Sequence, residues 1–471
     1  MATTSTPSDS LFAASYRRAT LTISSGFAIV AFAALALGTV MPVAVRDLDG
    51  LPQYALVFSG FLVAGVVGTA LAGGITDRVG PVPVIWAGLT CFTVGAVLSG
   101  AAGSVWTFVA GRVVQGAGGG AVTVALIVVV ARAYPEHLRP RMFSLTTACW
   151  ILPSLLGPPI AGAVADWLSW RWVFHLTALL TLAVLVWQLL SRPLNGLPEP
   201  QEENAPPARP PMLAALAVAA GAALVQYALS PHARVPFLLA AAGLTVLVLS
   251  ARRLFPPRTL RAGRGLPALV LVRGAAAAAY FAVESYLPLL LIDERGLPPI
   301  AAGSVLLGAA VCWAGASWVQ SRPRLRPHRQ RVLLTGALVH LLGTAVALGG
   351  TTPGTPTAVA AAGLVLCACG MGVLLPGIGV LALEYSSPAE QGTNSAALQL
   401  ADSLCSMLLI GVCGAAFNMV QQQTSSDGTA FAAVFALAVA AALVACPLVL
   451  RIGRPRERTS TLTRPRVGRA S

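Results

Sequence analysis

A chain of 471 residues that is 56% hydrophobic and only 10% charged, with a mean hydropathy of +0.76, has too few polar side chains to cover a water-soluble globule of its size. Its net charge of +14 is built from arginine without any lysine, and the arginines collect on one side of the expected membrane spans. That asymmetry is an orientation signal toward anionic lipid and the cytoplasm, and it argues against a nucleic-acid partner.

Apolar runs of about 18 to 28 residues suit membrane-crossing helices and exclude a barrel of short alternating strands. Residues 1–19 read as a cytoplasmic N-terminus; Arg17 and Arg18 precede a run too long for a signal-peptide core, so it is a retained first span. Six spans are expected near 20–45, 53–75, 82–102, 104–131, 142–166 and 170–190, forming a bundle over 20–190. Residues 191–211 are polar and proline-rich, with Glu199, Glu202 and Glu203, the composition of a cytoplasmic linker.

Two further spans near 212–230 and 235–251 turn around at Ser230-Pro231-His232-Ala233-Arg234. With the basic loop that holds Arg252, Arg253, Arg258, Arg261 and Arg264, they make an inserted hairpin segment over 212–264. A second bundle over 265–450 contains spans near 266–291, 299–320, 331–350, 356–383, 393–420 and 429–450, and 451–471 is a basic cytoplasmic tail. An even number of passes, fourteen, puts both termini in the cytoplasm of a multi-pass protein of the inner (plasma) membrane. Only Arg46, Arg171, Arg234 and Arg295 fall on the far side, and Arg112 and Arg273 lie within spans.

Between the second and third spans stands Gly73-Gly74-Ile75-Thr76-Asp77-Arg78-Val79-Gly80. An adjacent acid and base between two greasy runs belongs at a membrane surface. The pattern resembles the corresponding loop of major facilitator superfamily transporters, although Pro81 and Val82 replace the basic pair that usually follows. The resemblance implies that Gly73, Asp77, Arg78 and Gly80 form a conformational latch, with Asp77 near Thr393-Asn394-Ser395 at the start of span 13. The related loop Ser321-Arg322-Pro323-Arg324-Leu325-Arg326 lacks the acid and reads as a basic loop.

In span 4, Gly111-Arg112-Val113-Val114-Gln115-Gly116-Ala117-Gly118 resembles the superfamily motif in which a buried arginine and glutamine precede a glycine cluster. Arg112 lies roughly 12 Å from the outer end at 1.5 Å per residue and needs an acidic or carbonyl partner. In span 5, Leu156-Gly157-Pro158-Pro159-Ile160-Ala161-Gly162 resembles the antiporter motif; Gly157, Pro158 and Gly162 are expected to kink the helix and smooth its face for packing between bundles. Two six-span bundles around a hairpin resemble the fourteen-span drug:proton antiporters of the second type. The resemblance implies an all-α polytopic membrane protein with the major facilitator fold. Span 1 departs from that branch, because Ala33 occupies the position of its usual acid before Pro42.

Glu284 in span 9 and Asp402 in span 13 are the two acids well inside spans. A carboxyl in a low-dielectric cavity can exchange protons near neutral pH. Glu284, Asp402 and Arg112 are thus the expected proton-coupling groups, with Glu284 alternating between a protonated state and an Arg112-paired one. A fixed Arg273–Asp402 pair is the competing structural reading of Asp402. Phe32, Tyr280, Phe281, Tyr286, Trp313 and Gln399 could line an apolar cavity for substrate.

The eight cysteines sit in apolar runs without C-x-x-C spacing, and the five histidines are scattered, so no metal site, cofactor or catalytic residue is expected. The resulting expectation is a monomeric exporter of hydrophobic or amphipathic compounds, driven by a proton gradient and not an enzyme. The alternative is an exporter of a lipid or endogenous natural product without proton coupling.

Overall fold

The computed structural model describes residues 10–13, 16–135, 138–191, 212–229, 235–386, 391–423 and 427–453; some side chains inside these ranges, Asp77 and Thr393 among them, lie outside the description. The expected linker from 192 to 211, the hairpin turn at 230–234 with Arg234, and the tail from 454 onward also lie outside the described residues.

Within these ranges the chain forms fourteen α-helices in the order the hydropathy predicts. The first block holds α1 (Arg17–Asp47), α2 (Tyr54–Val79), α3 (Pro81–Gly100), α4 (Val105–Ala133), α5 (Arg139–Trp167) and α6 (Trp170–Ser191). The hairpin is α7 (Met212–Ala228) and α8 (Pro236–Leu254). The second block holds α9 (Leu266–Leu289), α10 (Pro299–Gln320), α11 (Arg329–Gly349), α12 (Thr357–Tyr385), α13 (Gln391–Gln423) and α14 (Asp427–Leu450). Helices are the necessary outcome, because hydrocarbon offers no partner to an open backbone amide and a helix satisfies its own.

Fourteen helices do not amount to fourteen clear crossings. Among the described residues, eleven helices are long and apolar enough to span a membrane, and α1 makes a twelfth when its two arms, bent by 49°, are joined. α7 is 17 residues long, and α5 carries Pro153, Pro158 and Pro159 in its interior. The bend in α1 was not expected from its sequence, and neither was the end of α9, where Pro288 is followed by a π-helical turn at Leu290–Glu294.

Each block is built on the same packing scheme. α4 packs on α2 and α3, and α1 on α5; in the second block α12 packs on α10 and α11, and α9 on α13. The sequence explains the closest of these pairs. Glycines recur at every seventh residue along four helices: Gly88 and Gly95, Gly111 and Gly118, Gly336 and Gly343, Gly363 and Gly370. A Cβ added at Gly95 would meet the backbone of Gly111 and Gln115, and one at Gly370 the backbone of His340, so the paired backbones touch at these positions. A seven-residue repeat of small residues keeps one narrow seam facing its neighbour along the full helix.

The blocks meet through α5 against α10 and α2 against α13. The hairpin covers the second of these seams, with α7 packed on α2 and touching α13. Val218, Ala222, Leu247 and Ala251 of the hairpin bury themselves with Leu404 and Met407 of α13, and Leu62 of α2 packs on that cluster. The side-chain amide of Gln226 donates to the Met407 carbonyl.

Candidate functional site

The two deep acids of the second block occupy different settings. Asp402 on α13 is joined to Arg273 on α9: Nη2 and Nε donate to the same carboxylate oxygen at 2.7 and 3.0 Å. Their side chains are only 15% and 10% exposed, so parting them would leave an uncompensated buried charge. This is the structural reading of Asp402.

Glu284, one and a half turns from the C-terminal end of α9, receives a hydrogen bond from the Tyr280 hydroxyl at 3.1 Å, from one turn earlier on the same helix. The Tyr280 ring stands edge-on to Phe281 at 5.3 Å and to Trp313 of α10 at 5.0 Å. Glu284, Tyr280, Phe281 and Trp313 therefore come together as a carboxylate among aromatic rings.

Arg112 does not join them. Its Nη1 donates to the Gln115 side-chain oxygen at 2.6 Å, one turn along the same helix, and its guanidinium lies 4.3 Å from the centre of the Phe61 ring on α2. The residue is 3% exposed. Its main neighbours are α2 and α3, while α9 packs mainly on α12, α13 and α14. The expected Arg112–Glu284 pair is absent from this conformation, because the rotation of α4 turns Arg112 toward α2. The needed carbonyl partner is Gln115, a residue of the same motif.

The other cavity candidates divide. Phe32 is partly buried and packs on the core. Tyr286 is fully buried, 5.2 Å from Tyr54 and 5.8 Å from Phe417, which makes it a packing residue between blocks. Gln399 is exposed on α13.

The latch is described only in part. Gly80 has φ +84°, a conformation that favours glycine, and turns the chain between α2 and α3. Arg78 is exposed. Nothing lies within 4 Å of a Cβ built at Gly73. Asn394 donates to the Ser386 hydroxyl at 2.7 Å. The expected approach of Asp77 to the start of α13 falls on a side chain outside the description.

The span 5 motif lies at the junction of the blocks. A Cβ on Gly303 of α10 would meet the Pro158 carbonyl, and one on Gly162 would meet Pro299 and Ile300. One turn beyond Gly162, Asp166 accepts a hydrogen bond from the Ile300 amide at 3.0 Å, capping the N-terminus of α10 from the opposite block.

Sequence reasoning missed a set of polar contacts at the arginine-poor end. Arg46 pairs with Asp293 at 2.7 Å. The Tyr54 hydroxyl donates to the Ser285 carbonyl at 2.6 Å, and Asn418 donates to the Pro52 carbonyl at 2.8 Å. Each joins the first block to the second. Within the first block, Asp47 accepts from Arg171 at 2.7 Å and from Trp170 at 3.0 Å, which ties the end of α1 to the start of α6. Between the blocks at this end lies a cleft of about 290 Å³ lined by Arg46, Asp49, Leu51, Asp293, Phe417, Gln421 and Phe431. Opposite charges at span ends were the available signal, but pairing them requires knowing which helices adjoin.

Comparison with known proteins agrees with this geometry. The profile of the Major Facilitator Superfamily matches residues 23–410. A probable multidrug-efflux transporter of Mycobacterium tuberculosis is 25% identical over 445 residues, covering 91% of this chain and 94% of its own. The multidrug transporter protein MdtP of Bacillus subtilis is 29% identical over 160 residues, 34% of this chain and 29% of its own. Among solved structures, a POT family transporter in complex with 5-aminolevulinic acid superposes with a TM-score of 0.69 at 14% identity, over 95% of this chain and 99% of that one. The last likeness is one of fold. With its two matched helical blocks and a family profile spanning most of its length, the chain belongs to the Major Facilitator Superfamily and is a transporter.

Proposed function

We propose that this protein exports hydrophobic or amphipathic compounds by proton antiport, its two blocks rocking so that a central site opens to each face in turn. The observation that carries the reading is the contrast between the two deep acids. Arg273 neutralises Asp402, whereas among the described residues Glu284 is hydrogen-bonded to a tyrosine hydroxyl beside aromatic rings and has no ion pair. A carboxyl without a cation partner in an apolar setting is the one that gains most from taking up a proton. The full-length relative in Mycobacterium tuberculosis carries the name of a multidrug-efflux transporter, which favours export and a broad substrate class.

In this reading the chain belongs to the fourteen-span antiporter branch and has both termini in the cytoplasm. The arginine-poor end faces outward, and Arg46–Asp293, Tyr54–Ser285, Asn418–Pro52 and Asp166–Ile300 hold it shut. Arg112 joins α4 to α2 and keeps the first block rigid as it rocks; Arg273–Asp402 serves α9 and α13 in the same way. Asp77, Arg78 and their flanking glycines act as the latch on the inner side. The protein works as a monomer, and its energy source is the proton gradient.

A second reading, export of a lipid or an endogenous natural product, draws on one observation. Ala33 is fully buried where the drug-antiporter branch carries an acid in span 1. Reconstitution in liposomes with an imposed pH gradient, against fluorescent hydrophobic dyes and labelled lipids in parallel, tests both readings. Dye export that collapses with the gradient and is lost in Glu284→Gln supports the first. Gradient-independent movement of lipid alone supports the second.

A further inference from the structure

We propose that Tyr54 is the strut that ties closure of the arginine-poor end to the stretch of α9 carrying Glu284. Tyr54 opens α2 in the first block, is 1% exposed, and donates its hydroxyl to the Ser285 carbonyl of the second block at 2.6 Å. Ser285 directly follows Glu284, so the first block grips the backbone next to the carboxyl.

The grip falls where α9 is least able to hold itself. Pro288 has no amide hydrogen, which leaves the carbonyl four residues earlier, that of Glu284, without its helical donor. Beyond it the helix widens into the π turn at Leu290–Glu294. The same turn carries Asp293, which pairs with Arg46 of α1. The upper part of α9 is thus held by the first block at two points, one on each side of Pro288. The Tyr54 ring adds packing, edge-on to Tyr286, which continues through Phe417 to Phe431.

Parting the blocks at this end removes the Tyr54 hydroxyl from Ser285 and frees the proline-weakened stretch. Glu284 then reaches the opened side as part of the same motion. Arg46 is 62% exposed, so its ion pair is screened by water, while the Tyr54 bond is buried and is the stronger of the two ties. The strut gives a physical route by which block position reaches the acid, and it rests on the reading of Glu284 as the proton-carrying group.

The test uses Tyr54→Phe, which keeps the ring and removes only the hydroxyl. Spin labels at Gly103→Cys and Pro353→Cys, in exposed loops of the two blocks at this end, report the distance between blocks in a background lacking the eight native cysteines. The population with separated labels is expected to rise about five-fold, the equivalent of about 1 kcal/mol for one buried neutral hydrogen bond. The thermal unfolding midpoint is expected to stay close to that of the parent, which a purely structural tyrosine would not allow together with the shift. Arg46→Ala is expected to move the population less. An unchanged distance distribution in Tyr54→Phe overturns the strut, whatever Glu284 does. If Tyr54→Phe opens the protein and Glu284→Gln retains full proton-driven export, the mechanical tie stands and the assignment of the proton to Glu284 falls.

Discussion

Arg273 and Asp402 show how a charge inside a membrane protein turns from a liability into a fastener. Their mutual contact is short, and both are largely withdrawn from solvent. Removing one partner leaves the other buried and uncompensated, so Asp402→Asn is expected to destabilise the fold by about 3 kcal/mol. The double change Arg273→Met with Asp402→Leu is expected to recover most of that loss. Thermal unfolding in detergent reads both; equal stability for Asp402→Asn and the parent would contradict a fixed pair. This pair was legible in the sequence, because the two residues lie at similar depths from the same end on helices that adjoin in the fold. The Arg112 contact was less so. The search for a distant acid overlooked Gln115 three positions on, inside the quoted motif, where helical spacing alone brings two side chains together.

At the scale of the element, α5 and the hairpin show what hydropathy reads and what it passes over. Run length located all fourteen helices to within a few residues, because length and apolarity are properties of the run itself. The π turn after α9 depends on local backbone bonding, to which an average over twenty residues is blind. The glycine repeat in α3, α4, α11 and α12 was present in the letters, and a search for a seven-residue period would have revealed the matched seams of the two blocks. At the span 5 motif the Pro158 carbonyl lies where a Cβ on Gly303 of α10 would stand, so the two helices touch there. Gly303→Leu is expected to force α5 from α10 and lower the export rate at least ten-fold, measured in proteoliposomes, while Gly315→Leu, where nothing lies within 4 Å of an added Cβ, is expected to leave it unchanged. For the hairpin, Gln226→Leu removes a buried amide tie to α13 and is expected to cost about 1 kcal/mol in thermal stability. No change in the unfolding midpoint would show that the hairpin is held by packing alone.

For the whole molecule, the two blocks repeat one packing scheme and are bound together at the arginine-poor end by contacts from α1, α2 and α5 to α9, α10 and α13. Of the ties Arg46–Asp293, Tyr54–Ser285, Asn418–Pro52 and Asp166–Ile300, only the Tyr54–Ser285 bond is buried and the other three reach solvent, so in the proposed reading substrate and protons reverse the seal against water-screened contacts. The account therefore depends on a single exchange, in which opening of the seal and release of a proton from Glu284 belong to one step. Proton movement during export, followed with a pH-sensitive dye inside sealed proteoliposomes after a pulse of hydrophobic substrate, measures that exchange directly. The account predicts a substrate-driven proton flux in the parent protein and its loss in Glu284→Gln, with substrate binding retained. An undiminished flux in Glu284→Gln would contradict it.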